Sequence, residues 1–322
     1  MITWRLFYPV YTICWLAFPD RCRKLSLNMN SAPNQWLSGE AIEFNSMKYT
    51  IQHKTAYAYL EPVSLCHNIA RLVPRNTREQ TCTNTHILIS PEPDRINEYE
   101  DFFGNKIIYF SIEKEHHELS VQVTSEVERS EGAGVEKVSG QNDILEIKQH
   151  IFETPMTSWD EQILQYAKES FIPERPVIEA ALDLTQRIFT DFEYKPGHTT
   201  VATPLGVLMK ERKGVCQDFA HLAIACVRSI GIPARYVSGY IETLSPEGAE
   251  KLIGVDASHA WFSVYVPGRG WTDFDPTNNC LVSDQHIIIG WGRDYADIAP
   301  LEGIILSSGS HELTVSVDVK RI

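Results

Sequence analysis

Gly214-Val215-Cys216-Gln217-Asp218-Phe219-Ala220-His221-Leu222 opens a helix that is apolar through Ala223, Ile224, Cys226, Val227 and Ile230, and Gly231-Ile232-Pro233 ends it. The rest of the chain is organised around this stretch. Gly214 is expected to supply a sharp turn, which puts Cys216 in the first helical turn. There, unsatisfied backbone N–H groups and the positive end of the helix dipole favour a thiolate, the reactive form of cysteine. Ala220, Ala223 and Val227 share a face with Cys216, so a second element can approach the sulfur closely. That element is expected to carry a base.

His221 is the nearest histidine, but five residues along a helix turn it about 140° away from Cys216. It reads as structural, its ring held by Asp218 or Gln217. His259 is the better partner. It lies in Ser258-His259-Ala260-Trp261-Phe262-Ser263-Val264-Tyr265-Val266, whose aromatic and β-branched residues make a strand. Pro267-Gly268-Arg269-Gly270 is a turn, and Trp271-Thr272-Asp273-Phe274 is the returning strand, stopped by Asp275-Pro276. A register that pairs residues of equal parity puts His259 diagonal to Asp275, about 7–8 Å between Cβ atoms. Asp273 falls one dipeptide, about 6.7 Å, further off. Asp275 is therefore the expected orienting carboxylate, and the hairpin is expected to have an odd loop or a bulge near Gly270.

Taken singly, a cysteine in an apolar helix, a strand histidine and an Asp-Pro pair are ordinary. Their joint pattern carries weight. The run Gly214 to Leu222, the stretch Gly231-Ile232-Pro233-Ala234-Arg235-Tyr236-Val237-Ser238-Gly239-Tyr240, then His259-Ala260-Trp261 and Gly270-Trp271 to Asp275-Pro276-Thr277 together resemble the bacterial transglutaminase-like family. The resemblance implies a papain-like core with Cys216 as nucleophile, His259 as base and acid, and Asp275 orienting the imidazole. It also implies acyl transfer on protein or peptide amides through a cysteine thioester, resolved by an amine or by water. Cross-linking animal transglutaminases carry Trp directly after the nucleophile and rely on calcium. Here Gln217-Asp218 follow Cys216 and no calcium loop is visible, so a cysteine peptidase or amidase stands beside the transferase. A non-catalytic protein-binding module with a relic site is the reading from another class, and the presence of all three residues weighs against it. Gly290-Trp291-Gly292-Arg293-Asp294-Tyr295-Ala296-Asp297 resembles the family's segment after the Asp motif and reads as a loop, shaping a groove or simply packed on the surface.

The implied fold class is α+β: an N-terminal antiparallel β domain at 47–128, a linker region at 129–157, and a transglutaminase-like catalytic domain at 158–322 with the nucleophile helix packed on an antiparallel sheet. Strand-like runs cover Tyr49 to Tyr59, Ser64 to Val73, His86 to Ser90, Lys106 to Ile112 and Leu119 to Val127, and Gly104-Asn105 suits a tight hairpin. Ser158-Trp159-Asp160-Glu161 reads as a capping box, Pro176 starts a further helix, Thr203 caps a short helix beginning at Pro204, and His311 to Val319 closes the chain as a strand. Residues 1–46 form an N-terminal extension, read as an over-called start or a disordered tail. A signal or membrane segment is the lesser reading, because Arg5 and Pro9 interrupt the apolar run and no small-residue cleavage site follows it.

A chain of 322 residues, 43% hydrophobic and 22% charged, suits two globular domains. A net charge of −13 without a basic run argues against nucleic acid as a partner. Seven widely spaced cysteines with no C-x-x-C pair indicate neither a disulfide framework nor a zinc site. A cytoplasmic location with no metal and no cofactor is expected, and Cys280 reads as a spare structural thiol. Asp94, Glu98, Glu100 and Asp101 lack the spacing of a calcium loop and read as a solvated acidic face. Nothing in the sequence signals an oligomeric state.

Overall fold

The computed structural model describes residues 4–7, 46–130, 141–242 and 258–322, with only the backbone described at 4–7 and 141–144. The first half is made of strands: Trp4–Phe7 (β1), Ser46–Val63 (β2), Leu65–Ala70 (β3), Gln80–Ser90 (β4), Arg95–Glu100 (β5), Lys106–Ile112 (β6) and His116–Ser130 (β7). Helices then enter with Gln141–Lys148 (α1), Glu161–Ser170 (α2), Val177–Asp191 (α3), Leu205–Glu211 (α4) and Cys216–Ser229 (α5), and the short strands Glu193–Tyr194 (β8) and Lys213–Gly214 (β9) flank α4. Five strands follow: Ala234–Ile241 (β10), Ser258–Val266 (β11), Gly270–Asp275 (β12), Cys280–Leu281 (β13) and His286–Gly292 (β14). Leu301–Leu306 (β15) and His311–Arg321 (β16) complete the chain.

Alternation builds the β domain. Along β2, Tyr49, Ile51, His53, Thr55, Tyr57 and Tyr59 are buried while the residues between them face outward, the two-residue period of a sheet with one covered face. The sheet β16-β2-β7-β4 packs on the sheet β1-β15-β3-β6-β5. Tyr57, Val121 and Val123 of the first meet Cys66, Phe110, Ile112 and Leu301 of the second. Each such buried apolar side chain contributes about 1.5–3 kcal/mol relative to exposure.

Strand pairing redraws the expected domain limits. The closing strand forms, but β16 pairs with β2 from His311↔Tyr59 to Arg321↔Tyr49, and β15 pairs with β3, so residues 301–321 are built into the sheets of the N-terminal half. Trp4–Phe7, expected in a tail, pairs with β15. The rest of the extension before residue 46 lies outside the described residues. Within the expected linker, β7 runs through Ser130 and α1 begins at Gln141, and 131–140 lie outside the described residues. Asp94, Glu98 and Glu100 are exposed as expected, the last two on the edge strand β5, where charge discourages further pairing, but Asp101 is half-buried and accepts the Phe103 and Asn105 N–H groups at 2.9 and 2.8 Å.

In the second half, the antiparallel sheet β13-β12-β11-β10-β14 is covered by α5, with α2 and α3 packed on α5 in turn. Asp160, not Ser158, caps α2, its Oδ1 accepting the Ile163 N–H at 3.0 Å. Pro204 rather than Thr203 occupies the cap of α4, and Thr203 Oγ1 accepts the Thr200 N–H instead. At the far end of α5 the Arg228 guanidinium, 2% exposed, donates to the carbonyls of His150, Ala234 and Arg293 and to Thr157 Oγ1. Burial lowers its pKa to about 10, which leaves it charged at neutral pH.

The two halves join along the free edge of β14. Gln80 Nε2 donates to Ile288 O at 2.7 Å and Gln80 Oε1 accepts Ile288 N–H at 2.8 Å. Asn105 Nδ2 donates to Trp291 O at 2.8 Å and its Oδ1 accepts Trp291 N–H at 3.0 Å. Each amide copies one rung of a strand ladder, so the edge of the sheet β13-β12-β11-β10-β14 is closed by side chains of the β domain. A Cβ on Gly290 would lie 2.3 Å from Asn105 Oδ1, so glycine alone fits between the two rungs. Of the expected loop at 290–297, Gly290–Gly292 are the last residues of β14, with Arg75 and Arg235 over the Trp291 ring at 3.7 and 3.8 Å, and Tyr295–Asp297 form a short 3-10 helix beyond it. Gln80→Ala leaves the buried Ile288 N–H unpaired, and urea unfolding is expected to show a loss of about 2 kcal/mol. An unchanged midpoint would show that this edge does not depend on the amide.

Candidate active site

Cys216 is the first residue of α5 and is 9% exposed. The chain reaches it through β9, which pairs in parallel with β8. Gly214 is required for room and not for the expected turn: its backbone is not left-handed, and a Cβ there would lie 2.8 Å from Leu208 Cδ1 and 2.9 Å from Asp218 Oδ2. The left-handed residue is Arg212, at φ 56°. Asp218 Oδ2 accepts the Val215 N–H at 2.8 Å and the Thr199 hydroxyl at 2.6 Å, which ties the approach to the helix it enters. Burial raises the Asp218 pKa, with those two hydrogen bonds opposing.

His221 is held differently from the sequence expectation. Its Nε2 accepts the Tyr295 N–H at 3.1 Å and its ring lies 4.9 Å from that of Tyr236, while Asp218 is committed to Val215 and Thr199. Burial, with Arg228 adding to it, pushes its pKa down to about 3. It is a neutral structural histidine.

The hairpin has the expected parity. Pro267-Gly268-Arg269 is an odd loop, and the register runs from Val266↔Gly270 to Phe262↔Phe274. Continued outward, it sets Asp275 diagonal to His259. His259 Nε2 and Asp275 Oδ2 are 2.7 Å apart, and both side chains are buried. Asp273, on the same face one dipeptide away, accepts the Trp261 indole N–H at 3.1 Å.

Asp275 is saturated with donors. Its Oδ1 accepts the backbone N–H groups of Thr277 and Asn278, and its Oδ2 accepts from Asn278 Nδ2 at 2.7 Å and His286 Nε2 at 3.1 Å besides His259. Burial would raise its pKa, but the charge and hydrogen bond of His259, with His286, hold it far below the usual carboxylate range. Burial likewise pushes His259 down, and Asp275 together with Cys216 outweighs it, so its pKa stands well above the ordinary histidine value. His259 Nδ1 is buried and, among the described residues, has no partner within ordinary hydrogen-bond geometry, which leaves it to the nearby Cys216. Cys216 and His259 line one cleft with Tyr194, Gln217, Ser238 and Tyr295.

Sequence reasoning gave no role to Asn278 or His286. No local signal marks His286: it lies eleven residues beyond Asp275 on β14, and β10 and β11 separate that strand from β12. His259 Nε2, Asp275 Oδ2 and His286 Nε2 lie within 4.8 Å of one another, a spacing a small cation could use. Protons already account for it. Ser283 N–H donates to His286 Nδ1 at 3.2 Å, so the His286 proton sits on Nε2 and points to Asp275, as the His259 proton does. Cys280 is not the spare thiol expected, since it is disulfide-bonded, and Cys66, Cys82, Cys216 and Cys226 are free.

Residues 49–128 match the bacterial transglutaminase-like N-terminal region, and residues 165–276 match the transglutaminase-like superfamily. The uncharacterized protein Rv2569c of Mycobacterium tuberculosis is 38% identical over 290 residues, covering 84% of this chain and 92% of that protein. A protein-glutamine gamma-glutamyltransferase of Pseudomonas aeruginosa is 33% identical over 102 residues, 29% of this chain and 15% of that protein. A crystal structure from Cytophaga hutchinsonii, described as a candidate cysteine protease, superposes with a TM-score of 0.69 at 25% identity, covering 86% of this chain and 91% of its own. The core is thus that of the transglutaminase-like superfamily. Within it, the chain belongs to the bacterial transglutaminase-like family, β domain included. Among the described residues no helix is long and apolar enough to cross a membrane.

His53, His150 and His221 all have pKa values lowered by burial from 6.5 to about 3. Below pH 6.5 the unfolded chain protonates these rings while the folded chain does not, so stability is lost as pH falls from 6.5 toward 3. The steepest loss is about 1.4 kcal/mol per pH unit for each ring, or about 4 for the three. His259 has the opposite shift, is protonated in both states below 6.5, and adds no slope there. Urea midpoints at pH 7, 6 and 5 are expected to fall steeply, and a flat series would show that these rings are hydrated in the fold.

Proposed function

We propose that the protein is a cysteine acyl-transfer enzyme acting on protein or peptide amides, with Cys216 as nucleophile, His259 as acid and base, and Asp275 as the residue that orients and charges the imidazole. One observation carries the reading: a cysteine at a helix start shares a cleft with a histidine whose far nitrogen is bonded to a buried carboxylate. The chemistry follows from the positions. The Cys216 thiolate attacks the amide carbonyl, and the developing oxyanion meets backbone N–H groups at the start of α5, that of Cys216 among them. The C–N bond breaks as the His259 imidazolium gives its proton to the departing amine, leaving a thioester on Cys216. An incoming amine or water then attacks the thioester, loses a proton to His259 and restores the thiolate–imidazolium pair.

The Pseudomonas relative is named for transfer from protein glutamine and the Cytophaga structure for proteolysis, so the two outcomes differ only in what attacks the thioester. The test is a glutamine peptide library incubated with and without a labelled primary amine, with the acylated Cys216 peptide captured by mass spectrometry. Cys216→Ser and His259→Ala are expected to lower kcat/KM by about 10³-fold or more, and Asp275→Asn by about 10²–10⁴-fold. An amine adduct identifies a transferase and a free acid identifies a hydrolase. Slow iodoacetamide labelling of Cys216 near neutral pH, unchanged in His259→Ala, would sink the catalytic reading and leave a binding module.

A further inference from the structure

We propose that His286 is a positioning residue of this site: a neutral imidazole that donates to Asp275 and thereby limits how strongly the carboxylate holds the proton on His259. The inference rests on the acyl-transfer reading above. His286 Nε2 lies 3.1 Å from the same Asp275 oxygen that His259 approaches at 2.7 Å. The two histidines therefore compete for one acceptor atom.

The proton on His286 is fixed by its other nitrogen. Ser283 N–H occupies Nδ1 at 3.2 Å, and a backbone N–H can only donate, so Nδ1 is the acceptor and Nε2 carries hydrogen. A second proton on Nδ1 would break that bond. Burial, His259 and Arg129 all act against charging the ring, and Asp275 acts for it. The charged and titratable groups around His286 are Asp275 on β12, His259 on β11 and Arg129 on β7, and the Trp261 ring meets it edge-on at 5.3 Å. The β domain takes part, because Arg129 Nη2 donates to Ser283 O at 3.0 Å and so steadies the turn whose N–H fixes the tautomer.

The Asp275 rotamer does not depend on His286. Thr277 N–H, Asn278 N–H and Asn278 Nδ2 also bind the carboxylate. Removing His286 thus changes the charge density on Asp275 more than its place. A carboxylate with one donor fewer is more basic and holds the imidazolium more tightly, so the pKa of His259 rises.

The test is the pH dependence of Cys216 alkylation by iodoacetamide together with the ring NMR titration of His259, in wild type, His286→Leu and His286→Gln. Leucine removes the donor, whereas the glutamine amide supplies a donor and an acceptor at similar reach. The His259 inflection is expected to move up by about one pH unit in His286→Leu, a tenfold change in proton affinity, and to return close to wild type in His286→Gln. An inflection unmoved in a natively folded His286→Leu, or moved equally in both variants, overturns the proposal and leaves His286 a packing residue. If the leucine variant fails to fold, the wild type still decides: ring nitrogen shifts must show His286 neutral and Nε2-protonated from pH 5 to 9, and a titrating or Nδ1-protonated ring overturns it. Failure of the parent reading looks different, since His259→Ala would then leave alkylation unchanged whatever His286 does.

Discussion

Helix α5 is buried on every face from Asp218 to Arg228, and a helix in that position cannot be served by one sheet. It takes the sheet β10–β14 on one side and α2, α3 and α4 on others. Both ends must then find polar partners inside the protein. Asp218 does this at the start through Val215 and Thr199, and Arg228 at the end through three carbonyls and Thr157. Burying an ionised side chain is costly unless its donors or acceptors are matched, and here every one of these contacts is a hydrogen bond. Because the helix is fixed at both ends, the sulfur at its first residue is fixed as well.

Burial alone does not decide how a histidine behaves in this protein. His53, His150, His221 and His259 are all nearly inaccessible, yet the first three are pushed toward neutrality and the fourth toward charge. The difference is the partner. His53 meets the neutral hydroxyls of Thr55 and Tyr240, and His221 accepts a backbone N–H, so neither has a negative charge to offset its burial. His259 meets a carboxylate that four other donors keep ionised. A buried ion pair of this kind adds little to stability on balance, but it fixes a charge and an orientation at one point of the cleft.

The β domain is part of the architecture of the sheet that carries the site. Gln80 and Asn105 complete the edge of β14, His53 bonds Tyr240 of β10, and Tyr49, Ile51 and Val319 pack on Tyr240, Ile287 and Ile289. The same strand β14 begins with His286. A disturbance at the domain junction therefore reaches the carboxylate through one strand and one turn, which gives the β domain a physical route to the site.

Much was legible in the chain itself because it depends on neighbours. The two-residue alternation of β2 and the apolar run of α5 are local patterns that follow from residue order, whereas the odd hairpin loop is expected only because His259 and Asp275 need a shared face, and the folded register has that parity. Caps were placed a residue or two off, since Ser158, Asp160, Thr203 and Pro204 are all competent near a helix start and packing chooses among them. The return of β15 and β16 to the first half, the role of Gly214 as space, the Tyr295 bond to His221 and the approach of His286 to Asp275 had no local signal. They join positions such as Gln80 and Ile288, 208 residues apart, and only the folded chain brings those together. The sequence thus determined the main strands and the central helix, and it named a thiol and an imidazole that line one cleft and a carboxylate that meets the imidazole. Tertiary structure decided how many donors share the carboxylate, because proximity across separate strands is a property of packing and not of order along the chain.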